Sequence, residues 1–408
     1  MKYVIIGASA AGISAARTLR TVDSDCEIVI ISKDTDIYSR CMLHLVIGGE
    51  RDTEGISFIE KDFFENNNIN WIKGAEVVGI NEDEKTVILE EDRKVIYDKL
   101  LIASGASATI PPIKNLREAN NVSCLRNIDD SISISEKCSE GSDVVIIGGG
   151  LVGIDAVAGL IHKGANVYLI EMADRILPLQ LDKKASSKYE KLFLDKNVDV
   201  ITNASVQEVA LDESGNAETV ILSTGKTISC KYIVVAAGVR PNVDFVSDSS
   251  VKVERGIVID NNCKTTSQDI FAAGDVTGLA PIWPVAVKQG KAAALNMAGV
   301  ETTHEDNFAF QNSMNFLGLD TVSLGVAQAP DESFITDIFE SESSYKKIIH
   351  KDGIIYGAIL QGDISYCGVL TYLIKNKINV SNKNSNIFKL SFADFYNTKD
   401  NGEYIYGI

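Results

Sequence analysis

Val4–Arg17 reads VIIGASAAGISAAR. Tyr3 and the apolar Val4, Ile5 and Ile6 read as a buried parallel strand, Gly7-Ala8-Ser9-Ala10-Ala11-Gly12 as a tight turn, and Ile13 to Leu19 as a helix of small residues. Gly7 permits the turn, the small Ser9 lets a pyrophosphate approach the backbone, and Gly12 lets helix and strand pack closely. The helix start offers unpaired N–H groups and a partial positive charge to the phosphates. Ser9 stands where the dinucleotide fingerprint has glycine. The loop by itself is therefore a weak signal, and its weight comes from the rest of the chain.

A second copy lies in Val144–Pro178, VVIIGGGLVGIDAVAGLIHKGANVYLIEMADRILP. Gly148, Gly150 and Gly153 have the full GxGxxG spacing after a strand, and Leu151 and Val152 open the helix that carries Asp155. The next strand, Val167–Ile170, ends in Glu171. An acidic side chain about twenty residues beyond the loop accepts both hydroxyls of an adenosine ribose, and its charge repels a 2′-phosphate. The expected ligand is NADH, with Arg175 near enough in sequence to favour NADPH instead. Gly148, Gly150, Leu151, Val152, Gly153, Asp155, Glu171 and Gly238 make up the expected nicotinamide nucleotide site.

The first unit departs from the pattern at its second strand, Cys26–Ile31. The ribose-binding position falls on Ser32, followed by Lys33 and Asp34, and Asp34 or the backbone has to serve there. Two buried strands close the two units in the same way: Val95–Ser104 runs into Gly105, and Tyr232–Gly238, YIVVAAG, ends in small residues and Gly238. Asp269–Gly278, DIFAAGDVTG, returns to the first unit with Asp275 at its end, where a carboxylate can bond the ribityl hydroxyl of a flavin or cap a turn. Trp283–Ala298 reads as a small-residue helix. The fold class is α/β: two Rossmann-like dinucleotide-binding domains, the second inserted in the first, with a C-terminal α/β domain. The expected boundaries are 1–110 and 239–306 for the outer domain, 111–238 for the inserted one, and 307–408 for the last.

Elsewhere the pattern is that of an ordinary globular chain. Ile56–Phe64 suggests a short helix, and Ala75–Leu89 a hairpin. Ser313–Gly325 and Tyr345–Gly362 suggest antiparallel strands with a turn at Lys351-Asp352-Gly353, Gly368–Lys375 a helix, and Asn379–Asn386 a loop. This last segment holds no chemical motif, and its expected role is dimerisation or covering the cofactor. With 408 residues, 45% hydrophobic and 23% charged, the chain suggests two or three soluble domains. A net charge of −17 argues against nucleic acid or an anionic membrane surface as a partner. No apolar run is long enough to span a bilayer, and the chain enters a strand at once, so a cytoplasmic protein without signal peptide is expected. The seven cysteines form no CxxC pair, which leaves no metal site to expect.

VIIGASAAG, LLIASGA, VVIIGGGLVGIDA, VYLIEMADRILP, VVAAGVRPN and DIFAAGDVTG, in this order, resemble the flavin-dependent pyridine nucleotide–disulfide oxidoreductases. The resemblance implies FAD on the N-terminal unit, NADH on the inserted one, and hydride transfer between them. It implies FAD contacts from Gly7, Ser9, Ala11, Gly12, Ser32, Lys33, Arg40, Cys41, Ala103, Ser104, Gly105, Asp275 and Trp283. PIWPVAVKQGKAAALNMAG, NSMNFLGLDTVSLG and YKKIIHKDGIIYGAILQGD are similar to NADH:rubredoxin reductases and the flavin portion of assimilatory nitrite reductases. That branch passes electrons to a redox protein such as rubredoxin or to a partner subunit, as a monomer or homodimer. Cys41-Met42-Leu43-His44-Leu45-Val46-Ile47-Gly48 also resembles the redox-cysteine segment of coenzyme A disulfide reductases and NADH oxidases. Cys41 is then a redox thiol or a small neighbour of the flavin, and His44 an acid–base group or a structural histidine. A reactive thiol needs a cation or helix start to hold it as thiolate, and Arg40 is adjacent.

Overall fold

The computed structural model describes residues 1–304, 311–383 and 386–406. The elements that matter for function, in chain order, begin with β1 (Lys2–Ile6), α1 (Ala10–Val22), β2 (Glu27–Ser32), α2 (Leu43–Ile47), β3 (Ile69–Lys73), β4 (Lys99–Ile102) and α3 (Ile128–Lys137). The inserted unit supplies β5 (Asp143–Ile147), α4 (Leu151–His162), β6 (Asn166–Ile170), α5 (Lys183–Leu194), β7 (Val198–Ile201) and β8 (Tyr232–Val235). Then come β9 (Ile270–Ala272) and α6 (Trp283–Met297), followed by β10 (Gln311–Phe316), β11 (Leu319–Gly325), β12 (Ile335–Glu340), β13 (Tyr345–Lys351), β14 (Ile354–Gln361) and α7 (Cys367–Lys375).

Two compact units result. One holds Met1–Pro111, Cys124–Glu136 and Ala237–Ala309; the other holds Pro112–Ser123, Lys137–Ala236 and Phe310–Ile408. In the first, a parallel sheet has the order β9-β4-β1-β2-β3. Strand residues alternate between its faces. Tyr3 and Ile5 pack with Ala16 and Leu19 of α1 and Ala293 of α6, while Val4 and Ile6 pack with Leu100, Ile102 and Val87 on the other side. Each such buried branched side chain is worth about 1.5–3 kcal/mol of burial. That double burial is why β1 reads as an unbroken apolar run.

The second unit repeats the design, with β7-β6-β5-β8 parallel in its sheet. It also holds the antiparallel C-terminal sheet, β10-β11-β14-β13-β12, against which α7 buries Val369, Leu370 and Leu373. The strands expected at 313–325 and 345–362, the turn at Lys351–Gly353 and the hairpin expected at 75–89, here Val77–Asn81 paired with Thr86–Leu89, are all present. The helix expected over Ile56–Phe64 is not: only Phe63–Asn66 is α-helical, after a 3-10 turn at Glu54–Ile56. Phe58, in the stretch between them, packs edge-on against Trp283 at 4.7 Å, a tertiary contact that overrides local helix preference. The expected domain start at Asn307 lies outside the described residues, as do 384 and 385 of the loop expected at 379–386.

Candidate cofactor site

The two glycine loops share one geometry. Gly7 has φ +109° and Gly148 φ +110°. A Cβ on Gly12 would fall 1.9 Å from the Gly7 carbonyl oxygen, and one on Gly153 would fall 1.9 Å from that of Gly148. No side chain fits in either space, so helix and turn are in direct backbone contact, as a pyrophosphate cradle requires. Gly150 differs, because nothing lies within 4 Å of its Cβ position. Its backbone is extended, like that of Ser9, so a serine at the equivalent place costs the fold nothing. Ser9 makes no side-chain bond into α1, Gly150 has no side chain to make one into α4, and neither first turn carries an acidic residue. The N–H groups at both helix starts are therefore oriented to receive an anion.

In the second unit Glu171 is fastened to the loop it serves. Its Oε2 accepts from Gly149 N–H at 2.7 Å and its Oε1 from Ala173 N–H at 2.7 Å. Arg175 is committed elsewhere. Its Nε donates to the Leu181 carbonyl at 2.9 Å, its Nη2 to that of Pro178 at 3.0 Å, and its Nη1 to Asp174 at 2.5 Å. Its side chain is 12% exposed, so the cation that left NADPH open is folded into its own loop. Leu151 and Val152 form the first turn of α4, with Asp155 one turn further on. Burial pushes the Asp155 carboxyl up to about 7. Gly238 belongs to the first unit, where its carbonyl accepts from Thr109 N–H.

In the first unit Ala103 abuts the turn, its carbonyl oxygen 2.1 Å from where a Gly7 Cβ would be. Ser104 exchanges hydrogen bonds with Asn242, and Gly105 accepts from Asn242 N–H. Ala11 is the contact between α1 and α6: a Cβ on Gly290 would lie 2.2 Å from its carbonyl oxygen. The Ser32 hydroxyl is occupied, donating to the Asp34 carbonyl and accepting from Trp71 Nε1. Lys33 is well exposed and paired with Glu76. Arg40 reaches toward the glycine loop, with Nη1 donating to Ser9 Oγ at 3.3 Å, while Nη2 pairs with Asp34 at 2.7 Å and the guanidinium lies over the Tyr38 ring. Cys41 is exposed in the 3-10 turn Arg40–Met42, and His44 is partly buried in α2. Trp283 is the first residue of α6.

Arg126 escaped the sequence reading. Its Nη2 donates to Asp275 Oδ2 at 2.8 Å and its Nε to the Ala106 carbonyl at 2.9 Å, tying the acid at the end of β9 to the strand after Gly105. Asp130 in turn accepts from the N–H groups of Arg126 and Asn127 at the start of α3. The available signal was the polar step Arg126-Asn127 just before a helix opening with Asp129 and Asp130. Among the described residues no group of three or more His, Cys, Asp or Glu is placed to hold a metal ion.

Two glycine cradles, one joined by an acidic side chain at the end of its second strand and the other by a carboxylate after a returning strand, are the doubled arrangement of a two-dinucleotide fold. The chain belongs to the pyridine nucleotide-disulphide oxidoreductase family, whose profile matches residues 1–290; residues 311–378 match the rubredoxin NAD+ reductase C-terminal domain. It is 29% identical over 393 residues to the NADH-dependent phenylglyoxylate dehydrogenase subunit epsilon of Aromatoleum evansii, covering 93% of each chain. It is 28% identical to nitrite reductase of Bacillus subtilis (strain 168), where 93% of this chain covers 48% of that protein. The crystal structure of NADH:rubredoxin oxidoreductase from Clostridium acetobutylicum is similar with a TM-score of 0.76 and 26% identity, covering 94% of this chain and 97% of that one. The protein is accordingly an oxidoreductase that uses a flavin and a nicotinamide nucleotide. Among the described residues no helix is long and apolar enough to cross a membrane.

Proposed function

We propose that the protein accepts hydride from NADH on an FAD held by the Gly7–Gly12 cradle, and passes the electrons to a separate redox protein. The observation that carries this reading is the pairing of a complete nucleotide cradle at Gly148–Gly153 with Glu171, in a chain whose other unit has a second cradle of the same geometry. Bound FAD supplies the chemistry that takes two electrons from a nicotinamide and releases them one at a time or as a pair. The protein's part is to bind and orient. The N–H groups of α1 and α4 hold the two pyrophosphates, Glu171 accepts from the NADH ribose, and Asp275, steadied by Arg126, accepts from the ribityl chain. Residues 1–110 and 239–306 carry the flavin, 111–238 the nicotinamide nucleotide, and 307–408 an interface role, in a cytoplasmic monomer or homodimer.

The match of the last third to a rubredoxin reductase C-terminal domain supports a protein acceptor. Cys41 follows Arg40, whose guanidinium is engaged by Asp34, Ser9 and the Tyr38 face, in the 3-10 turn just before α2, and electron uptake tells a redox thiol there from a neighbour of the cofactor. Anaerobic titration with NADH or dithionite counts the electrons taken up, and steady-state turnover compares rubredoxin, oxygen and coenzyme A disulfide as acceptors. The expected result is two electrons per chain, fastest turnover with the protein acceptor, and Cys41→Ser within a few-fold of wild type. Uptake of two further electrons, lost together with turnover in Cys41→Ser, would falsify this reading in favour of a coenzyme A disulfide reductase or NADH oxidase.

A further inference from the structure

The loop that follows Glu171 is held at its middle and at its end. At its middle Leu177 N–H donates to the Gly149 carbonyl at 2.8 Å, so the loop is bonded back onto the glycine turn. At its end Asp182 caps α5, accepting from Ala185 N–H at 2.9 Å. The other oxygen of Asp182 is taken by the C-terminal sheet: Tyr345 Oη donates at 2.6 Å and Lys347 Nζ lies at 3.0 Å. Asp182 and Lys347 are 14% and 10% exposed, so this ion pair is out of solvent. Burial acts to raise the pKa of Asp182, but the bonds from Ala185, Tyr345 and Lys347 outweigh it, and the carboxyl titrates below its ordinary value. A second tie is Ser323 Oγ, which donates to the Gln180 carbonyl at 2.5 Å. A third is Gln361, fully buried, which donates to the Ala185 carbonyl. Arg175, in the first half of the loop, reaches across it to the Leu181 and Pro178 carbonyls. Both acceptors belong to the segment that the sheet grips.

We propose that the C-terminal sheet sets the choice of nicotinamide nucleotide, by pinning the 173–182 loop so that Arg175 stays turned away from the 2′ position beside Glu171. Tyr345, Lys347 and Ser323 are positioning residues in this scheme, acting through Asp182 and Gln180 on a cation four residues past the ribose acceptor. A planar guanidinium is well matched to a phosphate. Freed from its two carbonyls, it can offset the repulsion between Glu171 and a 2′-phosphate. The inference rests on the NADH reading above.

The test is the double variant Tyr345→Phe/Lys347→Met, assayed as full-length flavoprotein. The expected result is a fall of tenfold or more in the NADH:NADPH ratio of kcat/KM, arising from a lower KM for NADPH. Flavin content and kcat with NADH are expected to stay the same. Calorimetry should show tighter binding of 2′,5′-ADP with little change for 5′-AMP. Adding Arg175→Ala to the variant should restore the wild-type ratio, and Lys347→Arg alone should leave it near wild type. If the double variant fails to fold, Ser323→Ala, which removes a single bond to the loop, reads the same ratio. An unmoved ratio in a wild-type protein that prefers NADH overturns the inference alone, as does a shifted ratio that survives Arg175→Ala. A wild-type preference for NADPH overturns the NADH reading itself.

Discussion

Glu171 has two tasks, and a substitution there separates them. Its carboxylate takes the Gly149 and Ala173 N–H groups and is the expected acceptor for the ribose hydroxyls. Glu171→Gln keeps one oxygen acceptor and the shape, whereas Glu171→Ala leaves two amides without their partner. A hydrogen bond to a charged acceptor contributes about 1.5–3 kcal/mol. The alanine variant should therefore lose roughly ten- to hundredfold in kcat/KM for NADH through KM, with kcat nearly unchanged. The glutamine variant should lose less and discriminate less against NADPH. Steady-state kinetics with both nucleotides checks this, and an alanine variant whose KM does not move means that Glu171 is not the ribose acceptor. At the corresponding position of the first unit, Ser32 donates to the Asp34 carbonyl and accepts from Trp71 Nε1, a partner 39 residues away that no local sequence rule reveals.

At the scale of elements, the two glycine turns are rigid because backbone meets backbone. Gly12→Val puts branched carbon where the Gly7 carbonyl oxygen stands, so α1 must lift off β1. The variant is expected to purify with less than a tenth of the wild-type FAD, while Asp275→Ala, which deletes one contact and frees Arg126, should lose FAD several-fold. Flavin absorbance relative to protein measures both, and full FAD content in Gly12→Val rules out that loop as the pyrophosphate site. These units were legible because fully buried parallel strands read as continuous apolar runs and the loops between them tolerate few residue types. β12 was not legible. It is an edge strand with five of its six residues, Ile335-Thr336 and Ile338-Phe339-Glu340 among them, exposed, so neither alternation nor an apolar run marks it. Arg126 was hidden for another reason: its partners, Ala106 and Asp275, are brought to it only by the tertiary fold.

The whole molecule carries a pH dependence that the acidic composition alone does not predict. Asp155 has its carboxyl pushed up to about 7 by burial, against an ordinary value near 4. Between those values the folded chain keeps a proton that the unfolded chain has released. The contribution of this group to stability is therefore full below about pH 4 and is lost as pH rises through 7. The loss at pH 8 is at most about 4 kcal/mol, and less where water reaches the carboxyl. Asp155→Asn should match wild type in Tm near pH 4.5 and exceed it by several degrees at pH 8. Thermal unfolding followed at both pH values checks this, and a gap that is constant with pH excludes the assignment.

The distribution of thiols gives the molecule a ready chemical address. Cys26, Cys138, Cys230 and Cys263 are buried, and burial pushes Cys138 and Cys230 up to about 11 and Cys263 to about 12. Partly buried Cys124 is also raised to about 11. At neutral pH these sulfurs are poor nucleophiles shielded from reagent. Cys41 is the exposed one among the described residues. A maleimide dye or spin label at limiting dose should therefore attach there first, without any engineered cysteine. The label would sit one residue from the arginine that touches the Gly7–Gly12 turn, where it can report on ligand binding at that turn.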